Sequence, residues 1–224
     1  MKTFDVYNQF DVTPLKGKDV YVYDEENNKY LDLYGGHAVI SIGHSEKNYV
    51  RNLTSQLKKI GFYSNAVKNP LQEKLSSEIN RHSGLDNYKL FMCNSGAEAV
   101  ENSLKLSSFI TGKKRIIAFK NSFHGRTSAA VAVTDNNEIN SKLNKQHSVT
   151  FVDFNDETNL NKELLKGDVC AIIFESIQGV GGLDQPSESF IKSLSYYQKK
   201  YNVIIVADEV QSGFYRSGNF FAYQ

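Results

Sequence analysis

The sequence of 224 residues contains no tryptophan, three prolines, two cysteines and two methionines. No stretch approaches the run of about 18 apolar residues that a membrane helix needs, and the first residues lack the apolar segment of a signal peptide, so we expect neither feature. Charges of one sign do not dominate, because 26 Lys and Arg face 25 Asp and Glu and leave a net charge of +1. This balance gives no reason to expect nucleic acid or a membrane surface as a partner.

The two cysteines, Cys93 and Cys170, both lie in apolar runs. We therefore expect buried free thiols rather than a disulfide, which fits a protein of the reducing cytoplasm. With 40% hydrophobic and 23% charged residues, the composition is that of an ordinary soluble globular protein. Its length allows one large domain with a smaller appendage. We expect no metal site.

Two short β-rich segments near the N-terminus are separated by turn-forming residues. Residues 20–23 and 29–33 flank the run Asp-Glu-Glu-Asn-Asn, which is the pattern of a β-hairpin. Gly35 and Gly36 follow, and they imply backbone conformations or close approaches that a side chain would block. Residues 46–60 then carry apolar side chains at helical spacing.

Strand-like and helix-like segments alternate from about residue 86 onward. Such alternation predicts an α/β fold with a mostly parallel sheet flanked by helices. We expect an N-terminal lobe with its connecting helix over residues 1–60 and a large domain over residues 61–224, in which Pro70 begins a helix. The predicted strands lie at residues 88–93, 115–120, 149–154, 169–175 and 203–208, and the predicted helices between them lie at residues 97–110, 125–133, 158–165 and 189–201.

The last predicted strand ends in an acidic residue. Residues 204–207 are all apolar and deliver Asp208 to the carboxyl end of the strand, where open α/β sheets bind their ligands. A carboxylate is rarely buried without a partner, so a buried Asp208 requires a cationic one. The alternative is a strand followed by a solvated loop.

The helix predicted after the first strand begins with a capping pattern. Ser95 is a suitable N-cap, and Glu98 stands three residues on as its capping-box partner. Gly96 lets a ligand approach, and the N–H groups of a helix start bind anions such as phosphate. A well-capped helix without a ligand is the alternative. Neither a Walker A loop nor a Gly-x-Gly-x-x-Gly fingerprint is present, so a nucleotide is not expected.

Polar and aromatic residues also follow two further predicted strands. After the first of these strands, Phe123 is suited either to stack on a flat ring or to pack in the core. Arg126 is suited either to bind a carboxylate or to remain solvated. The second ends in Glu175 and a glycine-rich loop. Because the carboxyl ends of parallel strands share one edge, we expect these side chains to lie near Asp208.

A ligand with an anionic group, a flat ring and a cationic centre would satisfy these stretches together. A phosphorylated pyridinium has all three features. Asp208 would pair with the protonated ring nitrogen, Phe123 would stack on the ring, and the helix start at Gly96 would hold the phosphate. A carboxylate at the ring nitrogen keeps that nitrogen protonated, which makes the ring a better electron sink.

Five stretches of the sequence, in order and spacing, resemble the class III aminotransferases that use pyridoxal phosphate, and the segment that ends at residue 39 favours the acetylornithine branch of that family. The resemblance extends from residue 4 to the end of the chain. It implies the type I aminotransferase fold and a homodimer with active sites at the subunit interface. The stretches are residues 32–39, 94–99, 123–127, 175–179 and 208–211.

The resemblance implies that pyridoxal 5'-phosphate is the cofactor, and it assigns residues to the site. Asp208, the one catalytic residue so implied, pairs with the ring nitrogen, while Val210 packs behind the ring and Gln211 bonds its phenolic oxygen. Arg126 grips the α-carboxylate of the substrate, and Glu175 lines the substrate pocket. The cofactor-binding residues that the resemblance implies are Ser95, Gly96, Ala97, Phe123, Asp208, Val210 and Gln211.

The reaction that the resemblance implies is transamination of N-acetylornithine, or N-succinylornithine, with 2-oxoglutarate in arginine biosynthesis. Val180 stands where the family usually has a glutamate that pairs with an arginine, which leaves the acyl group open. The Schiff-base lysine of the family lies beyond Gln224, so we expect the large domain to be incomplete and the chain to lack that lysine. The alternatives are an ornithine or 4-aminobutyrate aminotransferase of the same class, and a non-catalytic, lysine-less fragment.

Overall fold

The computed structural model describes residues 2–4 and 6–224. The chain divides into two compact units, the first up to Pro70 and the second from Leu71. The domain boundary that the sequence predicts after residue 60 stays a prediction. No helix of the described chain has both the length and the apolar character that crossing a membrane requires.

The first unit carries a small antiparallel sheet of three strands, β1 (Lys16–Lys18), β2 (Tyr21–Tyr23) and β3 (Lys29–Leu31), in the order β1-β2-β3. Strands β2 and β3 confirm the predicted hairpin. Its turn is fixed by the carboxylate of Asp24, which accepts a hydrogen bond from the backbone N–H of Asn28 at 2.9 Å. Strand β1 was not predicted, because the sequence Lys-Gly-Lys has little β propensity.

The paired glycines form a short helical turn, α1 (Gly35–Ala38), with an uncommon backbone. All four residues have φ between +56° and +62°, in the left-handed region. This conformation costs His37 and Ala38 about 1 kcal/mol or more each, which glycine avoids. One oxygen of Asp32 accepts a hydrogen bond from the first N–H of the turn at 2.8 Å, and the other lies 2.7 Å from Nε2 of His44. The prediction that the glycines serve a special backbone conformation is confirmed.

The second unit is built on a parallel sheet of four strands. These are β4 (Arg115–Phe119), β5 (Val149–Val152), β6 (Val169–Glu175) and β7 (Ile204–Asp208), in the spatial order β5-β4-β6-β7. All three pairings are parallel, and the last residues of β6 and β7 are direct partners in the register. The predicted parallel sheet is confirmed, and the carboxyl ends of its strands lie along one edge.

The helices agree with the predicted helical segments to within a few residues at most ends. Helix α4 is the longest in the second unit, and α3 begins at the proline that the sequence marked. The helices of the described chain are α2 (Lys47–Lys59), α3 (Pro70–Ser83), α4 (Gly96–Thr111), α5 (Ser128–Ala132), α6 (Glu157–Leu164) and α7 (Glu188–Tyr201), with a 3-10 turn at Asn144–Gln146.

Helices cover both faces of the parallel sheet. On one face, Leu160 of α6 and Phe190 of α7 pack with Phe119 of β4, and the two phenyl centroids lie 5.5 Å apart. On the other face, Val100 of α4 packs in a cluster with Ala171 of β6. Each large apolar side chain buried in this way contributes about 1.5–3 kcal/mol. The central strands β4 and β6 are therefore buried along their whole length, and the loops at the carboxyl edge of the sheet are held by a packed core.

Residues 88–93 form no strand, which contradicts the prediction from their β-rich composition. Tyr88 and Phe91 are each 68% exposed, and no described strand pairs with this segment. A strand needs a hydrogen-bonded neighbour, which composition does not supply. Cys93 was expected to be buried and is exposed for the same reason, whereas Cys170 in β6 is buried as expected, and both thiols are free.

Candidate active site

The start of α4 is capped by the residue that the sequence predicts. Oγ of Ser95 accepts a hydrogen bond from the N–H of Glu98 at 3.2 Å. The Glu98 carboxylate accepts from the N–H of Asn94 at 2.5 Å, one residue before the cap that a capping box would bond. The N–H groups of Gly96 and Ala97, in the first turn, have no partner within the helix, and the helix dipole favours an anion beside them.

Two glycines let the start of α4 approach two other loops closely. A Cβ atom on Gly96 would lie 2.7 Å from Cγ1 of Val210, in the turn after β7. A Cβ atom on Gly125, in the loop after β4, would lie 2.9 Å from Cβ of Ala97. A side chain at either glycine would push these segments apart. The helix start, the loop after β4 and the turn after β7 therefore meet at one place.

The carboxylate of Asp208 is buried at this place and has a histidine partner. Its Oδ2 atom lies 2.7 Å from Nδ1 of His124, and its Oδ1 atom accepts a hydrogen bond from the N–H of Val210 at 3.0 Å. The two side chains are 6% and 0% exposed, so the alternative of a solvated strand end is wrong. Nε2 of His124 has no hydrogen-bond partner among the described residues.

The carboxylate of Glu175 links two loops of the site. Its Oε2 atom accepts from the N–H of Phe123 at 3.1 Å, and its Oε1 atom accepts from the N–H of Gly179 at 3.2 Å. The residue is 7% exposed. Burial raises the pKa of the Glu175 carboxyl above its ordinary value, and the hydrogen bonds from the two N–H groups partly offset that rise.

The remaining predicted side chains lie on the outer part of this edge. Phe123 is half-buried, and the guanidinium carbon of Arg126 lies 6.0 Å from the centre of its ring, at the limit of a cation–π contact. Gln211 is exposed, and its amide fills the space that a side chain on Gly179 would need. Val180 is 72% exposed on the glycine-rich loop.

The structure thus places the predicted site residues in one chain of contacts. They come from four separate segments of the sequence and meet only because the strands are parallel. His124 was part of a quoted motif but had no assigned role, and its position beside a buried strand end is what reveals it. The residues brought together are Ser95, Gly96, Ala97, Phe123, Arg126, Glu175, Asp208, Val210 and Gln211.

The chain belongs to the class III aminotransferases, whose family model matches residues 5–224. It is 36% identical to an acetylornithine aminotransferase of Archaeoglobus fulgidus over 96% of its own length and 57% of that enzyme. It is 37% identical to a [LysW]-aminoadipate semialdehyde/glutamate semialdehyde transaminase of Sulfurisphaera tokodaii over 100% of its length and 58% of that enzyme. The chain therefore spans little more than half of each of these two relatives.

A solved structure supports the same fold. The N-acetylornithine aminotransferase of Stenotrophomonas maltophilia superposes with a TM-score of 0.80 at 30% sequence identity, over 95% of this chain and 54% of that one. The type I aminotransferase fold predicted from the sequence is confirmed.

Membership of this family implies pyridoxal phosphate as the cofactor. The described residues fit that group in three respects. Gly96 leaves the start of α4 without a side chain beside Val210, which suits a phosphate at the first N–H groups. Phe123 offers a half-exposed ring for stacking. The carboxylate of Asp208 is buried against Nδ1 of His124, and Nε2 of the same ring is a buried polar atom without a hydrogen-bond partner among the described residues.

Proposed function

We propose that the full-length protein is a cytoplasmic, homodimeric aminotransferase that moves the distal amino group of N-acetylornithine, or N-succinylornithine, to 2-oxoglutarate with pyridoxal 5'-phosphate. The place of this reaction would be arginine biosynthesis. The observation that carries the proposal is the buried carboxylate of Asp208, presented by a strand end at the point where a glycine-lined helix start and an aromatic loop also meet. The named relative from Archaeoglobus fulgidus supports the choice of substrate.

The bound cofactor would supply an electron sink for the carbanion that forms next to the substrate nitrogen. The role of Asp208 is to hold a proton on the ring nitrogen of the cofactor through its negative charge. His124 fixes the carboxylate by its contact at 2.7 Å, so that the charge does not have to reorganise during the reaction. The low exposure of both side chains strengthens this electrostatic interaction.

The other cofactor contacts follow from where each segment lies. The N–H groups of Gly96 and Ala97, with Ser95 beside them, would hold the phosphate. Phe123 would stack on one face of the ring, and Val210 would pack behind it. The amide of Gln211 would bond the phenolic oxygen, and it lies against the backbone of Gly179 in the glycine-rich loop.

Arg126 and Glu175 are the proposed substrate residues. The exposed guanidinium of Arg126 would bind the α-carboxylate through its planar fork, which leaves the distal amine to reach the cofactor. Glu175 would line the pocket beneath, where it also fixes the backbone of Phe123. Together they would select an amino acid that carries a carboxylate at one end and an amine at the other.

A second candidate substrate is favoured by the Sulfurisphaera tokodaii relative, whose name specifies LysW-linked aminoadipate and glutamate semialdehydes. Acylated ornithine presents its distal amine on a chain whose α-nitrogen is blocked. Ornithine and 4-aminobutyrate differ, because the first has a free α-amine and the second has no α-substituent.

A substrate panel with the full-length protein tests the proposal. We expect turnover of N-acetylornithine or N-succinylornithine with 2-oxoglutarate to exceed that of ornithine and 4-aminobutyrate by at least about tenfold, the value of one well-placed polar contact. Arg126→Lys should raise KM for the acylated amine more than it lowers kcat, whereas Arg216→Lys, at another exposed arginine, should change neither. Faster turnover of the LysW-linked substrate would favour the second candidate, and no turnover of any amine would favour the non-catalytic alternative.

A further inference from the structure

Glu209 is the residue that follows the last strand, and each oxygen of its carboxylate accepts two hydrogen bonds. Oε1 accepts from Oγ of Ser176 at 2.5 Å and from the backbone N–H of Tyr223 at 3.0 Å. Oε2 accepts from Oγ of Ser212 at 2.7 Å and from the backbone N–H of Ala222 at 2.9 Å. Charged acceptors make stronger hydrogen bonds than neutral ones, so these contacts form a rigid junction.

The junction joins three parts of the second unit. Ser176 directly follows β6, and Ser212 belongs to the turn after β7. The other two donors belong to residues 213–224, which we call the terminal segment. This segment is fixed to the end of α3, where the hydroxyl of Tyr215 lies 2.8 Å from Nδ1 of His82. The carboxylate of Glu209 therefore fastens the turn after β7 to structure that lies outside the turn itself.

We propose that Glu209 is a positioning residue that holds the end of β7 and the turn after it, with Asp208, Val210 and Gln211, in the geometry that the cofactor requires, an inference that rests on the proposed function. Glu209 lies between these residues in the sequence, and its own side chain is taken up by the junction. A turn that rotates about β7 would move the carboxylate, the apolar surface and the amide together. Misplacement of such groups by about 1 Å is enough to weaken a preorganised site.

The pattern of donors explains why a carboxylate is needed rather than an amide. Each oxygen of Glu209 receives one serine hydroxyl and one backbone N–H. A hydroxyl can reverse its role and accept, but a backbone N–H can only donate. Whichever way a glutamine amide is oriented, its NH₂ group would therefore face one backbone N–H of the terminal segment. Glu209→Gln keeps the size of the side chain and loses one side of the junction.

The test uses the full-length protein and its Glu209→Gln variant, with Glu138→Gln as the matched control at an exposed position. The dissociation constant of pyridoxal phosphate is measured by absorbance titration of the apoprotein. We expect it to rise at least about tenfold in Glu209→Gln, as for loss of a hydrogen bond to a charged group, and to stay unchanged in Glu138→Gln. Ser212→Ala leaves the carboxylate intact and should have an effect of less than about threefold.

Hydrogen exchange in the apoprotein gives a second readout that does not depend on the cofactor. The N–H of Val210 donates to Asp208, so it should exchange at least about tenfold faster in Glu209→Gln, while the N–H of Ile117, in the core of β4, stays as slow as in the wild type. Equal acceleration at both amides would indicate a loss of global stability and overturn the proposal, as would unchanged exchange at Val210. If wild-type protein fails to bind pyridoxal phosphate, the proposed function fails, and the exchange result alone then decides whether Glu209 positions the turn.

Discussion

The two edges of the parallel sheet differ in how far their buried charged side chains are paired within the chain. At the amino edge, where the strands begin, Arg115 is buried and meets Asp168 through Nε and Nη2, Glu163 through Nη1 and Thr150 through Nη1. Its remaining contact is a hydrogen bond to the backbone carbonyl of Glu163. Asp168, followed by Glu163, raises the pKa of Arg115, and every donor of the guanidinium is matched within the chain.

At the carboxyl edge, three acidic residues lie at the ends of two neighbouring strands. Among the described residues, a single imidazole contacts this group. Glu175 and Glu209 use their oxygens on backbone N–H groups and hydroxyls, and only Asp208 contacts His124. Two buried polar atoms here, Nε2 of His124 and Oε1 of Gln178, have no hydrogen-bond partner in the described part of the chain.

One edge of the sheet therefore contributes mainly to the stability of the fold, and the other carries the groups available for binding and chemistry. A buried ion network that is complete within the chain adds rigidity but has nothing left with which to hold a ligand. An edge with excess negative charge and buried polar atoms that lack hydrogen-bond partners can obtain the missing interactions from a bound cationic ligand. We therefore expect changes at the amino edge to affect folding and changes at the carboxyl edge to affect cofactor and substrate.

Arg115→Met should have the largest effect on stability. It breaks the buried pair with Glu163, whose side chain is 11% exposed, while Lys166 stays 2.6 Å from that carboxylate, so the free energy of unfolding should fall by about 3 kcal/mol, the low end of the range for breaking a buried pair. Urea unfolding measures this loss, and turnover per folded molecule should be unchanged. Lys192→Met, at an exposed pair with Glu188, is the control and should change stability by less than about 0.5 kcal/mol. A loss at Arg115 no larger than the control would contradict the comparison.

Asp208→Asn should have the largest effect on catalysis. The amide keeps the size of the side chain but cannot hold a proton on the ring nitrogen, so kcat should fall by about 10²–10³-fold, as when one preorganised electrostatic contact is lost. Stopped-flow or steady-state assays of the full-length protein measure the change. Asp153→Asn, at an exposed carboxylate, should leave kcat unchanged. Equal kcat values for Asp208→Asn and the wild type would remove the main support for the site.

Glu175 predicts a dependence of stability on pH. Because burial raises its pKa in the folded protein, the protonated form is favoured by folding; that contribution is fully present below the unfolded pKa of about 4.3 and is lost as pH rises through the folded pKa. The free energy of unfolding of the wild type, minus that of Glu175→Gln, should therefore decrease as pH rises above about 4. Urea unfolding over a pH series checks this, and a difference that increases with pH would show that the sign is wrong.

Two serine caps give the smallest and most closely matched comparison. Ser95 on α4 and Ser187 on α7 each accept a hydrogen bond from the N–H three residues on at 3.2 Å. Replacing either with alanine should lower the free energy of unfolding by about 1 kcal/mol. Only Ser95→Ala should also weaken binding of pyridoxal phosphate, which equilibrium titration measures. Equal affinity in both variants would argue against a phosphate at the start of α4.

Periodicity and strand-end chemistry allow much of this arrangement to be predicted from the sequence. The apolar run before Asp208 and the capping residues around Ser95 are local signals, and local signals decide where strands end and helices begin. Contacts between distant segments are different. Nothing local pairs His124 with Asp208, or Arg115 with Glu163, because those distances depend on strand order and register. The prediction of a strand at residues 88–93 was wrong for the same reason, since a strand depends on its hydrogen-bonded neighbours.

The proposed function depends on Asp208 keeping the ring nitrogen of pyridoxal phosphate protonated. NMR of the full-length protein, reconstituted with cofactor labelled at that nitrogen, measures the protonation state directly. We expect a pyridinium chemical shift in the wild type that persists to alkaline pH, and a shift close to that of neutral pyridine in Asp208→Asn. A neutral nitrogen in the wild type, or the same shift in both proteins, would contradict it.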